Sequence, residues 1–224
     1  DMDELKKAFA LHSPWVKRVT RIERSPLGGK RAPVRVGMVY REPVAVAQAL
    51  AKNGRPIVVD EDGVVLPAED LDMAAAGRLI VIIRLAADRY WGGPDASEEL
   101  LEPDPAVLRA ARLAGFLKRH QNRKSALAGA PPTWSIVAID PAYRPGLVAQ
   151  THDSTQIVWG EPPGAEEPGN PTAEQKWNFL SDWYEHGSVP QVKWPDYLEF
   201  TRRGMRVHPR APSQPAPATA TPPP

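Results

Sequence analysis

Residues 14–67 read PWVKRVTRIERSPLGGKRAPVRVGMVYREPVAVAQALAKNGRPIVVDEDGVVLP, and three strand signals within them decide the fold. The first is Pro14-Trp15-Val16 leading into Val19-Thr20-Arg21-Ile22. Its apolar residues do not alternate cleanly, which predicts a bulged strand. The second is Val34-Arg35-Val36-Gly37-Met38-Val39-Tyr40. Val34, Val36, Met38 and Tyr40 alternate with Arg35, Gly37, Val39 and Arg41, which predicts a strand with a core face and a wetter face. Gly28-Gly29 marks the turn between these two. The third signal is Ile57-Val58-Val59 and Val64-Val65-Leu66 around Asp60-Glu61-Asp62-Gly63, a hairpin whose glycine supplies a positive φ. The acidic trio lacks the alternating ligand spacing and terminal glutamate of a calcium loop, so it reads as a turn. Residues 45–53 suit either a helical turn or a continuing strand.

Outward from this stretch, residues 3–12 predict a short helix with Leu5, Ala8, Phe9 and His12 on one face. Ser13-Pro14 stops it, because a residue before proline is pushed out of the helical region. Downstream, residues 78–85 form a β-branched run and predict a buried strand. Residues 87–103 are polar and loop-like. Residues 105–121 predict the best helix, with Asp104 as cap, Pro105 in the first turn, and Val107, Leu108, Ala111, Ala114 and Leu117 as the buried stripe. Strands are expected over 134–139, 146–150 and 155–160. Thr172-Ala173-Glu174-Gln175 fits a capping box for a helix carrying Trp177, Leu180, Trp183 and Tyr184, ended by Gly187. Residues 197–200 and 205–207 around Arg202-Arg203-Gly204 read as a hairpin or one bulged strand. Beyond 209 the chain is Pro, Ala, Thr and Ser apart from Arg210 and Gln214, a composition that cannot bury a core.

The chain has 224 residues, enough for one large or two small domains, and a net charge of +1, which argues against a general nucleic-acid binder. It has no cysteine, which removes disulfides, thiol catalysis and thiolate metal sites. Its 26 prolines exceed the usual ~5% more than twofold and punctuate many loops. Residues 1–41 hold ten Lys/Arg against four Asp/Glu, a net of +6, whereas residues 42–104 hold five against thirteen, a net of −8. That reversal suggests two modules or two faces meeting near residue 42. No apolar run approaches the ~18 residues that cross a bilayer.

Reactive constellations are missing from the pattern. His12, His120, His152, His186 and His208 have no metal-ligand spacing. His152-Asp153-Ser154 brings triad letters together, but triads are assembled by geometry rather than adjacency. Glu98-Glu99 and Glu166-Glu167 are acidic doublets in polar loops and read as solvated charge rather than a glycosidase pair. Trp15, Trp134, Trp159 and Trp177 fall inside predicted elements and read as core. Trp91 and Trp194 lie in loops and are candidates for exposed contacts. The residues therefore point to a mixed module of helices and strands that acts by binding, with no catalytic residue and no cofactor.

Taken in order, these segments resemble the extracytoplasmic region of the FtsQ/DivIB cell-division family. The helix, Pro14-Trp15-Val16 and the basic strand after it are similar to the second POTRA helix and following strand. The strand at 34–40 with Pro43-Val44-Ala45 resembles the family strand ending E-R-x-P-V-A, although Arg41-Glu42 inverts the ER pair and loses the spacer. Residues 57–66 resemble the opening of the family β domain, and 105–121 its middle helix. Ile157-Val158-Trp159-Gly160 resembles a strand ending in glycine, and Gln175-Lys176 through Tyr184 the late helix. Tyr197-Leu198-Glu199-Phe200 stands where a D-L-R-Y-like strand is expected and departs from it.

The resemblance implies an α+β fold. Residues 1–50 would be a partial POTRA domain (helix plus β-hairpin, first strand and helix missing). Residues 51–208 would be a larger mixed sheet packed by helices, and 209–224 a disordered Pro-rich tail. It also implies a non-enzymatic divisome scaffold, anchored by an upstream single-pass helix in the inner membrane, with this region in the periplasm at the septum. The implied partners are FtsB/FtsL-like proteins that add a strand near the C-terminus. On this reading Tyr197, Glu199, Phe200 and Gly204 belong to the docking strand, and Trp177 and Tyr184 support it. A different POTRA-containing envelope assembly or chaperone-like module is the alternative.

Overall fold

Asp104-Pro105 starts the longest element as its composition requires. In the computed structural model of the chain, Asp104 Oδ1 accepts the Ala106 N–H at 2.7 Å, and helix α1 runs over Pro105–Ala128. The structure describes residues 13–24, 34–50, 56–72, 77–85, 104–128, 134–142, 146–186 and 195–209, with Glu4 and Ala8 as single helical positions. The rest of the expected helix over 3–12 lies outside the described residues. So do the turn at 25–30, the loop at 87–103 with Trp91 and Glu98-Glu99, Gly187, Trp194, and residues 210–224 of the expected tail.

The fold is α+β, with two sheets among the described residues. Strands β1 (Val16–Arg24) and β2 (Val34–Tyr40) form an antiparallel pair. Its register slips between Val16 and Arg18 and again between Val19 and Arg21, so the uneven apolar spacing of β1 does become bulges. The other strands are β3 (Ala45–Leu50), β4 (Pro56–Val59), β5 (Val65–Leu66), β6 (Ile80–Ile82), β7 (Ile136–Asp140), β8 (Leu147–Thr151), β9 (Gln156–Gly160), β10 (Pro195–Thr201) and β11 (Gly204–Pro209). They make one nine-stranded sheet in the order β11-β10-β9-β8-β7-β6-β3-β4-β5.

Two expectations about residues 34–50 change. Neither face of β2 is core: Val34 and Tyr40 are exposed, and Val36 and Met38 only half-buried, because among the described residues β2 has a single strand neighbour and no extensive contact with a helix. Residues 45–50 are strand, and β3 pairs with β4 and β6 rather than continuing β2. The chain thus changes sheets across residues 41–44.

The helices are crossovers. β6 and β7 are parallel neighbours joined through α1, and β9 and β10 are parallel neighbours joined through α2 (Ala173–His186). A parallel pair cannot be closed by a tight turn, and in these two pairs a helix carries the chain back across one face, whereas the parallel pair β3 and β6 is joined by way of β4 and β5. The α2 capping box forms as predicted: Gln175 N–H donates to Thr172 Oγ1 at 3.3 Å, and Thr172 N–H donates to Gln175 Oε1 at 2.9 Å. Glu166 Oε1 also accepts the Ala173 N–H at 2.8 Å, so this member of the acidic doublet serves the helix N-terminus.

Both helices bury their apolar faces in one continuous core with the sheet. The α1 face is broader than its predicted stripe. Ala110, Leu113 and Phe116 are buried as well as Val107, Ala111, Ala114 and Leu117, while Leu108 is only partly so. Alanines in this face let α1 lie close on the strands. Each fully buried leucine contributes about 1.5–3 kcal/mol of transfer free energy. Leu117→Ala should therefore lower unfolding free energy by about 2–5 kcal/mol, read as a reduced urea midpoint at unchanged slope. A loss under ~1 kcal/mol would mean that α1 is not seated in the core as described.

Candidate functional site

The C-terminal hairpin ends the large sheet. β10 is paired on both sides, in parallel with β9 through Tyr197, Leu198 and Glu199, and antiparallel with β11. β11 pairs with β10 alone among the described residues, so its far side presents backbone N–H and C=O groups without a ladder partner. The turn between the strands is Arg202-Arg203. Gly204 enters β11 with φ 117°, a conformation that L side chains rarely adopt, and Thr201 Oγ1 donates to Gly204 O at 2.9 Å. Pro209 closes β11 and lacks an N–H, which limits the usable edge to residues 204–208.

The register sorts the side chains by face. Leu198 and Phe200 oppose Val207 and Met205. These four face the helices: Leu198 is wholly buried, and the other three pack against the core. Tyr197, Glu199 and Thr201 oppose His208, Arg206 and Gly204 on the opposite face. There the Tyr197 and His208 rings stack at 4.1 Å and 11°, and His208 Nε2 lies 3.2 Å from Glu199 Oε2. Arg206 is exposed.

The residues singled out from the sequence are thus separated by the fold. Gly204 begins the edge strand. Tyr197, Glu199 and Phe200 lie on β10, one strand inward, so they do not form the docking edge assigned to them. Phe200 meets Trp159 edge-on at 5.6 Å, and an arginine there would disturb packing before it touched a partner. Trp177 is buried and Tyr184 half-buried. Both contact Trp134, Tyr184 in a stack at 4.6 Å and Trp177 at 5.0 Å, so they belong to the core under α2. The edge residues missed were Met205, Arg206, Val207 and His208. Their alternation was visible, but it did not distinguish the inner arm of the hairpin from the outer one.

Other sequence candidates acquire plain structural roles. His120 sits between Phe116 and Trp177, with Nε2 3.2 Å from Glu174. His152 is exposed, and Asp153 accepts from the Thr151 hydroxyl within the β8–β9 turn. His12 and the His186 side chain lie outside the described residues. No group of three metal-ligating side chains occurs among the described residues.

One buried charge supports the edge from behind. Lys176, only 4% exposed, donates from Nζ to Trp159 O at 2.8 Å and lies 5.6 Å from the Trp159 ring, tying the first turns of α2 to the end of β9. Desolvation lowers its pKa below the ordinary 10.5, partly offset by Glu166 and Glu161. Well below the folded-state pKa the lysine is protonated in both states and adds no slope. Between the lowered folded value and 10.5, the unfolded chain holds more protons, so stability rises with pH. Burial moves Tyr184 the opposite way, raising its pKa, so it adds a falling slope at and above 10 that cancels when variants are compared. Lys176→Met should remove the rising component on the alkaline side below 10.5, seen as a parent-minus-variant difference in urea stability that increases with pH. Parallel curves across that range would refute the buried-charge assignment. No protein-family model matches the chain, and no curated protein sequence matches it.

Proposed function

We propose that this chain is a non-enzymatic scaffold of the bacterial divisome. On this reading it is held at the inner membrane by an upstream single-pass anchor, with the present region outside the cytoplasm at the septum. It engages FtsB/FtsL-like partners by accepting a strand at β11. The observation that carries the reading is the side of β11 that has no ladder partner among the described residues, bounded by Gly204 and Pro209 and backed by the core-facing Met205 and Val207. The ordered resemblance of residues 3–208 to the FtsQ/DivIB extracytoplasmic region supports it. Strand addition suits such an edge. Main-chain hydrogen bonds supply affinity, and alternate side chains on the two faces supply specificity.

The docking assignment moves from the inner arm to the outer arm of the hairpin. A partner strand beside β11 would place alternate residues next to Met205 and Val207 on the helix face, and next to Arg206 and His208 on the other. Amide hydrogen exchange tests this without altering the chain. With an FtsB/FtsL-like coiled-coil pair at about 100 times its Kd, the outward amides among residues 204–208 should exchange roughly 100-fold more slowly. Protection confined to another surface would refute the edge assignment. Absence of binding by a well-folded partner pair would count against the divisome reading itself.

A further inference from the structure

The β1–β2 hairpin and the nine-stranded sheet are separate hydrogen-bonded units, and no described hairpin residue belongs to the continuous core. Val16 is the one fully buried apolar side chain among the described residues of that hairpin. Among the described residues, a set of polar contacts joins the two units and converges on the turn Asp60-Glu61-Asp62. Lys17 of β1 lies 2.9 Å from Asp62 and 3.2 Å from Glu61. Arg41, just after β2, lies 2.6 Å from Asp60 and 3.3 Å from Asp62. Glu61 is also held by Arg119 of α1 at 2.5 Å. A further polar contact runs from Trp15 Nε1 to Asp70 Oδ2 at 2.7 Å. Beside them opens a cleft of about 530 Å³ lined in part by Val39, Tyr40, Val44 and Lys118, so the hairpin stands over space rather than on a packed face.

The three acids divide the work. Asp60 is 2% exposed and accepts the N–H groups of Asp62 at 3.0 Å and Val64 at 2.8 Å, which holds the turn's shape. Glu61 and Asp62 reach outward to cations on different elements. The hydrogen bond from Arg119 leads the effects that keep the Glu61 carboxyl below its usual range, and that with Asp62 leads those that raise Lys17. Gly115 makes room for this arrangement. A Cβ there would stand 3.0 Å from Glu61 Cβ and 3.2 Å from its Oε2. Glycine inside a helix costs about 1 kcal/mol against alanine, and here its small size lets the acidic turn lie against α1.

We propose that Asp60-Glu61-Asp62 is an ionic clasp that sets the angle of the β1–β2 hairpin on the large sheet, and that opening it turns the 41–44 link into a hinge. Lys17, Glu61 and Asp62 are each a third to a half exposed, so salt weakens the pairs they form. The clasp is independent of any partner at β11.

The chain has no cysteine, so two spin labels can be placed uniquely, at Arg35→Cys on β2 and Asn178→Cys on α2, both exposed positions. Pulsed electron–electron resonance then reads the hairpin-to-body distance in the full chain. At low salt a single narrow distribution is expected. It should broaden at about 1 M salt, where the Debye length is ~3 Å. The double substitution Glu61→Gln with Asp62→Asn should broaden it already at low salt. Gly115→Ala, which favours the helix but presses on Glu61, should do the same with unchanged far-ultraviolet circular dichroism. A distribution indifferent to both salt and the substitutions overturns the clasp, as does one already broad in the parent at low salt. The salt arm needs no further mutation and decides the matter if a variant fails to fold.

Discussion

Two of the three parallel pairings in the sheet govern the rest of the molecule. β6 beside β7 and β9 beside β10 each run in the same direction, and each pair needs a crossover long enough to return the chain to its starting end. α1 and α2 are those crossovers. Both land on one face, where His120 of α1 and Trp177 of α2 meet at 5.4 Å inside a shared core. That face becomes the dry side of the sheet. Each helix starts with local caps, Asp104 for α1 and the Thr172–Gln175 box with Glu166 for α2, so the crossovers begin where side chains satisfy otherwise unpaired amides.

The same arrangement explains why the C-terminal hairpin is an accessible edge. After α2 brings the chain back, β10 must lie beside β9, and the short Arg202-Arg203 turn leaves β11 nowhere to pair except on the outside. Lys176 then has a structural reason to be buried. It bonds the carbonyl of Trp159, at the end of the strand that the crossover leaves. Neutral or charged, it occupies a site where a plain apolar side chain would leave that oxygen unpaired.

At the other end of the chain the physics differs. The β1–β2 hairpin has no crossover helix of the large sheet over it, and its strands expose Val34 and Tyr40. Among the described residues, ion pairs and an indole–carboxylate bond join it to the large sheet. The charge reversal near residue 42 thereby gains a physical meaning: basic side chains on and after the hairpin face acidic side chains on the β4–β5 turn of the large sheet.

Local chemistry determined much of this in advance. Val34–Tyr40 as a strand, Gly63 at positive φ in the acidic turn, Asp104 as cap and the Thr172–Gln175 box are legible in the sequence, whereas the hairpin at Arg202-Arg203 is one of two readings that only its antiparallel pairing in the structure decides. The sequence also carried the α+β class through its mixture of alternating and 3.6-residue periods. Only the tertiary structure decided that Ala45–Leu50 joins the large sheet, that β11 rather than β10 is the edge, and that Tyr184 stacks on Trp134 against the core. It alone showed which cations meet Glu61 and Asp62. Each of those depends on strands or side chains distant in sequence. A period of two describes an inner and an outer strand alike, and a run of acids does not name its partners.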